Sequence, residues 1–201
     1  MIIDLTKPLD KTFLPFTSGN YSDPPLEISE WCDINKEGFR VSRLSMGTQT
    51  GTHIDAPAHF VEGGAMLETL SPDQLFGSYF LVDLPDRPSS TDVANRFAAY
   101  RQEQILFLRT SGNSTPYLSS EILQKILFLP PELWILSGDI EIEQSAPFEF
   151  HRQIARAGKF LVEDLDQKAA RQITGNGEVF IAPLRLIGVS GSPCRVIVRG
   201  E

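Results

Sequence analysis

Residues 49–60 constrain the fold more than any other stretch, because they place two of the three histidines and a carboxylate within seven positions. In an extended segment, side chains alternate between the two faces. The polar residues of this segment would then share one face: Gln49, His53, Asp55 and His59. Pro57 cannot donate to a sheet ladder, so the strand should end near it and the chain should turn, which would set His59 beside the cluster. The segment therefore predicts a strand end that carries a reactive site.

The third histidine, His151, lies far downstream in a segment that also carries an acidic residue. Residues 151–157 predict a short helix, which Gly158 closes from the C-terminal capping position. A strand predicted over residues 159–162 then leads into Glu163. A carboxylate that points inward from an apolar strand is unfavourable unless a cation or hydrogen-bond donors meet it. A bound metal ion would meet that requirement.

Both segments resemble the signatures of the cyclase family, a group of metal-dependent hydrolases that includes bacterial kynurenine formamidase, isatin hydrolase and some polyketide cyclases. The first segment matches H-x-G-T-H-x-D-x-P-x-H except that Gln49 stands in place of the first histidine. The second is similar to H-x-x-L-L-x-x-x-x-x-x-x-E-N-L, with His151 and Glu163 at the spacing of the fixed histidine and glutamate. The resemblance also extends to shorter pieces of the chain at residues 3–9, 108–110, 138–139 and 191–195.

The resemblance implies an α/β fold: a single mixed domain over residues 1–201, with a central strand-rich core of the swivelling β/β/α, barrel-like type flanked by short helices. The sequence pattern agrees, because short helices alternate with buried strands. The predicted strands lie at residues 1–5, 39–46, 77–84, 104–108, 133–136, 159–162, 179–184, 186–189 and 195–198. Helices are predicted at residues 91–102, 119–127 and 151–157, with a further helix start at Ser71. Within residues 39–46, a change of parity predicts a bulge or bend.

The resemblance further implies the roles of the site residues. In the family, the first histidine binds one metal ion together with the residues matching His53 and Asp55. The residues matching Asp55, His151 and Glu163 hold a second ion. The residue matching His59 moves protons as an acid and base. The implied cofactor is a divalent metal, zinc or manganese, as one or two ions.

Gln49 is the one departure from the first signature. Its amide oxygen can still ligate a metal, and this harder donor would favour manganese or magnesium over zinc, or leave the first position weakly filled. Alternatively, its amide group donates a hydrogen bond to substrate or to water at the metal. A single-metal enzyme and a protein that has lost the chemistry but kept the fold both remain open.

The expected reaction is hydrolysis of a small amide, formamide, lactam or lactone, in the manner of an arylformamidase. A metal held by His53, Asp55, His151 and Glu163 would lower the pKa of bound water and polarise the substrate carbonyl, so that metal-bound hydroxide attacks. His59 would move a proton to the leaving atom. N-formylkynurenine is the best named substrate by resemblance. The alternatives are a non-hydrolytic cyclase or dehydratase and a catalytically impaired ligand-binding protein.

Residues 13–25 predict a long loop that is rich in proline, serine and aspartate and contains several aromatic side chains. Loops of this length in compact domains are often functional. The resemblance assigns substrate-binding aromatic residues to this loop, and Phe16 and Tyr21 are the candidates. The same residues can instead anchor the loop to the core.

The formal net charge of −8 and the absence of a basic stripe argue against a nucleic-acid partner. The resemblance implies a small-molecule substrate. No N-terminal basic region precedes an apolar core, and no apolar run approaches the length of a membrane span, so the expected location is cytoplasmic with no membrane partner. Cys32 and Cys194 have no metal-binding spacing and are expected to be reduced thiols. The resemblance implies a homodimer or homotetramer.

Overall fold

Three apolar runs, at residues 105–108, 133–136 and 160–162, form the centre of the structure as neighbouring parallel strands. Strands that are buried on both faces lack polar alternation, and every residue of these runs is buried. The computed structural model describes residues 1–110 and 115–200. Its strands are β1 (Ile2–Asp4), β2 (Thr17–Ser18), β3 (Tyr21–Ser22), β4 (Glu27–Cys32), β5 (Val41–Ser45), β6 (His53–Asp55), β7 (Phe76–Leu84), β8 (Ile105–Thr110), β9 (Tyr117–Leu118), β10 (Leu133–Ser137), β11 (Glu141–Ile142), β12 (Phe160–Glu163), β13 (Gly177–Pro183) and β14 (Gly191–Gly200).

Seven of these strands close into a barrel-like ring. β7, β8, β10 and β12 are neighbours in that order and run parallel. β6, β14 and β13 pair antiparallel and connect β12 back to β7. β1 pairs with the second half of β14. The ring confirms the expected mixed α/β domain with a barrel-like core.

The apolar side chains divide between two layers, because successive residues of a strand point to opposite sides. Ile105 and Phe107 pack inside the ring, whereas Leu106 and Leu108 pack outside it. Helices cover the outer layer with buried side chains that include Val93, Ile122 and Phe150. The sheet therefore has a core on each face.

The helices are short, as expected. They are α1 (Ile34–Glu37), α2 (Ser90–Phe97), α3 (Ser120–Leu127), α4 (Glu149–Arg156) and α5 (Gln167–Ala170), with single 3-10 turns at Pro57–His59, Leu67–Thr69 and Pro72–Gln74. The helix predicted at residues 91–102 ends early, and the start predicted at Ser71 gives only the last of these turns. In the described part of the chain, no helix is both long and apolar enough to cross a lipid bilayer.

Two predictions about strands are wrong. Residues 186–189 form a loop in which Ile187 is exposed, because β14 begins only at Gly191 and its two edges are already paired with β13 and β6. The bulge expected within residues 39–46 lies instead in the partner strand β4, between Glu30 and Cys32. Every residue of β5 is exposed, so the alternation of apolar residues there carries no information about burial.

Candidate metal centre

Strand β6 places two candidate ligands at the middle of the closed sheet. Its three residues are all buried, and Ile54 points into the core between His53 and Asp55. β6 pairs with β12 on one edge, which sets His53 opposite Glu163, and with β14 on the other edge, which sets Asp55 opposite Gly191. Residues directly opposite each other in an antiparallel pair have side chains in contact range. The ladder itself therefore joins the two segments that the sequence singles out.

Helix α4 brings His151 to the same place. The helix predicted at residues 151–157 is confirmed, although it begins two residues earlier and Gly158 follows it with a φ of 73°. This left-handed glycine reverses the chain into β12, which ends at Glu163 as predicted. The Nε2 atom of His151 lies 2.9 Å from Oε2 of Glu163.

The predicted ligand atoms converge within a few ångströms. His53 Nε2 lies 3.4 Å from Glu163 Oε1 and 3.6 Å from Asp55 Oδ1. The ligand atoms of these three residues all lie within 4.8 Å of one another. His151 joins this group through its contact with Glu163. Imidazole and carboxylate donors gathered at this spacing can surround a single divalent ion.

The ring of His53 is oriented by a backbone contact. Its Nδ1–H donates to the carbonyl oxygen of Gly51 over 2.7 Å, which leaves Nε2 facing the two carboxylates. Gly51 has a φ of 65°, and a Cβ atom there would lie 2.6 Å from Leu9 Cδ2. The loop that orients His53 therefore requires glycine at this position.

Burial and mutual charge strongly perturb the cluster. Burial disfavours the charged form of His53, but the hydrogen bond to Glu163 and the charge of Asp55 outweigh it and raise the pKa of His53 to about 9. Burial together with the charge of Glu163 raises the pKa of Asp55 despite the opposing effect of His53. Burial also acts on Glu163, yet hydrogen bonds from His151 and His53 hold its pKa below the ordinary value. The buried Asp55 and the partly buried Glu163 thus depend on neighbouring positive charge.

The residues present fit a divalent metal ion. The Nε2 atoms of both His53 and His151 face the carboxylates of Asp55 and Glu163. A cation held between these groups would neutralise the two carboxylates, and each Nε2 atom can serve as a ligand once it carries no proton. Two imidazoles and two carboxylates form a donor set that suits zinc or manganese.

His59 and Gln49 lie at the open side of this cluster. The strand ends near Pro57 as predicted, and the 3-10 turn that follows sets His59 Nε2 at 4.0 Å from Asp55 Oδ2. Gln49 precedes the strand in a turn, and its Nε2 atom lies 3.4 Å from Asp55 Oδ1 and 3.4 Å from His59 Nδ1. The predicted convergence of these side chains occurs, but a loop and a turn produce it as much as the strand does.

A cavity of about 900 Å³ opens onto the cluster. The loop predicted at residues 13–25 contains the short β2–β3 hairpin, and both candidate substrate residues, Phe16 and Tyr21, line the cavity. The Tyr21 hydroxyl donates to Asp23 Oδ1 over 2.6 Å, so its polar end is already paired. The cavity is large enough for a small organic molecule.

Two aromatic residues of the cavity wall were missed by the sequence reasoning. The ring centroid of Phe60 lies 5.6 Å from that of His151, and the ring of Phe148 lies 5.9 Å from that of Phe16. Phe60 directly follows His59, so its position in the first segment was an available signal. The sequence around Phe148 contains no comparable signal. Phe148 lines the cavity because the backbone takes a left-handed conformation at this residue, just before α4.

The Cyclase family model matches residues 3–127, a span that contains the first site segment and ends before His151. Kynurenine formamidase of Bacillus mycoides (strain KBAB4) is 26% identical over 209 aligned residues, covering 98% of this chain and 96% of that protein. Kynurenine formamidase of Bacillus cereus (strain ATCC 10987 / NRS 248) is 28% identical over 215 aligned residues, with the same coverage of 98% and 96%.

Solved structures share the fold. A potential metal-dependent hydrolase with cyclase activity superposes with a TM-score of 0.75 at 24% identity and covers 100% of this chain and 99% of its own. Isatin hydrolase A from Labrenzia aggregata gives a TM-score of 0.81 at 19% identity, covering 98% of this chain and 93% of its own. The relatives support a hydrolase, and the match over more than half of the sequence shows that the chain belongs to the Cyclase family.

Proposed function

We propose that this chain is a metal-dependent hydrolase that opens a small amide, formamide, lactam or lactone, with an aryl formamide as the preferred substrate. One observation carries the proposal: two imidazoles and two carboxylates from β6, α4 and β12 meet beside a cavity with aromatic side chains on its wall. Its relatives include proteins named kynurenine formamidase, which supports N-formylkynurenine as the first substrate to test.

His53, Asp55, His151 and Glu163 would hold the divalent ion, with zinc or manganese as the candidates. When bound, such an ion supplies an activated water and polarises a carbonyl oxygen. The protein contributes the orientation of the ligands, because the Gly51 carbonyl fixes the ring of His53 and the β6–β12 register sets Glu163 opposite it. Burial of Asp55 and His53 keeps bulk water away from this side of the centre.

His59 is the proposed acid and base. It lies at the cavity surface, and its Nε2 faces the centre at 4.0 Å from Asp55 Oδ2. A group in this position can donate a hydrogen bond, or in its protonated form a proton, from Nε2 to the leaving nitrogen or oxygen. Its ring packs edge-on against Phe60, with 4.6 Å between centroids, which limits its rotation.

Aromatic side chains on the cavity wall favour an aryl substrate. Phe16, Phe60 and Phe148 contact one another in series beside His151. Aromatic pairs with centroids about 4.5–7 Å apart are attractive, so a planar ring can insert among them while its amide group faces the metal ligands. These rings support a substrate that carries an aromatic group beside its amide.

Homodimer or homotetramer assembly is also part of this proposal. The hairpin arm formed by β4 and β5, residues 27–45, exposes large apolar side chains that include Trp31 and Phe39. An isolated two-stranded hairpin is marginally stable in water, and a second copy of the chain would cover it. Light scattering coupled to size exclusion should give the mass of an oligomer, and a monomer at micromolar concentration would contradict this part.

The activity test measures hydrolysis of N-formylkynurenine, isatin and an aryl lactone with added Mn²⁺ or Zn²⁺. We expect turnover of the formamide, and we expect His59→Ala to lower kcat by about 10²–10⁴ while ion binding persists. Asp55→Asn should abolish both, whereas Asp73→Asn, at an exposed carboxylate, should change neither. Wild-type protein that binds an ion but turns over none of these substrates would contradict the hydrolase and favour the cyclase or ligand-binding alternatives.

A further inference from the structure

We propose that Gln49 is a positioning residue that couples Asp55 to His59 through its amide group, and that it is not a metal ligand. This inference rests on the proposed function, because it concerns the same centre. Gln49 makes polar contacts at both ends of its amide: Thr48 Oγ1 is 2.6 Å from its oxygen, while Asp55 Oδ1 and His59 Nδ1 are each 3.4 Å from its nitrogen.

The partners determine which way the amide faces. An ionised carboxylate only accepts hydrogen bonds, so the NH₂ group must be the end that faces Asp55. The Thr48 hydroxyl then donates to the amide oxygen at the opposite end. Each end of the amide thus has a partner of the complementary kind.

This orientation removes Gln49 from the coordination sphere. Side-chain amides ligate metals through their oxygen, and that oxygen accepts from Thr48 while the nitrogen faces the cluster. Nothing at position 49 then replaces an imidazole ligand, so the centre holds one ion between His53, Asp55, His151 and Glu163. Gly191 makes room for the arrangement, because a Cβ atom there would lie 2.4 Å from Gln49 Nε2.

The same amide defines the proton position on His59. Nδ1 of His59 lies 3.4 Å from the Gln49 NH₂ group, which can only donate, and 3.5 Å from the Ser190 hydroxyl, which can donate or accept. A neutral imidazole with an accepting Nδ1 carries its proton on Nε2. Nε2 is the atom that faces the centre. Gln49 therefore favours the neutral His59 tautomer that presents its Nε2–H to the centre.

The first test counts ions bound per chain after dialysis against Mn²⁺ or Zn²⁺. Wild type and Gln49→Leu should each hold one ion, and Gln49→His should hold two, because the new imidazole adds a donor beside Asp55. A wild type with two ions that drops to one in Gln49→Leu would overturn the inference. Loss of ion binding in Gln49→Leu would overturn it equally.

The second test observes the His59 tautomer directly by ¹⁵N–¹H multiple-bond correlation at pH 8.5, in metal-free and Zn²⁺-loaded protein. We expect the Nε2–H form in wild type and a mixture of tautomers in Gln49→Leu. Thr48→Val should loosen the amide and shift His59 toward the mixture, whereas Thr48→Ser keeps the hydroxyl and should match wild type. A wild-type Nδ1–H form, or Thr48→Val indistinguishable from Thr48→Ser, would contradict the inference.

The metal-free spectra separate this inference from the proposed function. If Asp55→Asn retains the ion, or wild type binds none, the proposed metal centre is wrong. The tautomer measured without metal and without turnover still decides the role of Gln49.

Discussion

Phe148 combines an unfavourable backbone conformation with a place in the proposed substrate wall. It has φ and ψ of 65° and 13° just before α4, which is the left-handed region. An L-residue with a Cβ atom is disfavoured there by roughly 1–2 kcal/mol, and glycine is not. Phe148→Gly and Phe148→Ala both remove the ring, so their difference isolates the backbone term.

We expect Phe148→Gly to be more stable than Phe148→Ala by about 1 kcal/mol. For a domain of this size, that difference raises the melting temperature by about 2–4 °C. Thermal and urea unfolding followed by circular dichroism, at matched concentration with EDTA, measure it. Both variants should raise KM for an aryl formamide to the same extent, because both lack the ring that contacts Phe16 and Phe60.

Phe128 provides the matched control. It is exposed, follows α3 directly and has an ordinary right-handed conformation with a φ of −70°. At this position, glycine should be less stable than alanine by roughly 0.5–1 kcal/mol, the usual order. The conformational argument would be refuted if Phe148→Ala were at least as stable as Phe148→Gly while Phe128→Ala remained more stable than Phe128→Gly.

Three further predictions concern the metal ligands, the metal and the cysteines. In isothermal titration, Glu163→Gln should no longer bind the divalent ion, because the variant lacks a carboxylate that contacts both His151 and His53. Glu141→Gln, at an exposed site, should bind the ion as wild type does. An equal loss of ion affinity in the two variants would contradict the assignment of Glu163 as a ligand. Removing the metal should lower stability by about 2.7 kcal/mol relative to protein at a free-ion concentration 100 times the Kd, and a melting curve unchanged by EDTA would argue against a folded-state metal site. Burial raises the pKa of the Cys194 thiol to about 12. Iodoacetamide at pH 8.5 should therefore alkylate the partly exposed Cys32 well before Cys194. Equal alkylation rates of the two thiols would show that β14 readily separates from its neighbouring strands.

The local features of the site follow from the sequence. Alternation set His53 and Asp55 on one face, and Pro57 ended the strand and turned His59 toward them. Gly158 likewise marked the end of the helix that carries His151. Each of these outcomes depends on the backbone preferences of a few neighbouring residues, and these preferences can be inferred from a single sequence.

Features that depend on distant parts of the chain were not predictable in the same way. The register that sets Glu163 opposite His53 is a property of the β6–β12 ladder. Thr48 and Ser190 carry no pattern that links them to Gln49 and His59, and their contacts arise only when the loops meet. The bulge predicted from the alternation of apolar residues in β5 was wrong because every side chain of this strand is exposed, so that burial does not determine which positions are apolar.

The central proposal is that His53, Asp55, His151 and Glu163 surround one divalent ion. An anomalous difference map from a crystal of the Mn²⁺-loaded protein tests this in a single measurement. We predict one peak per chain, bounded by His53, Asp55, His151 and Glu163, at about 2.0–2.3 Å from their nearest nitrogen and oxygen atoms. A peak that excludes His151 and Glu163, or no peak at this cluster in protein shown to contain the metal, would contradict the account.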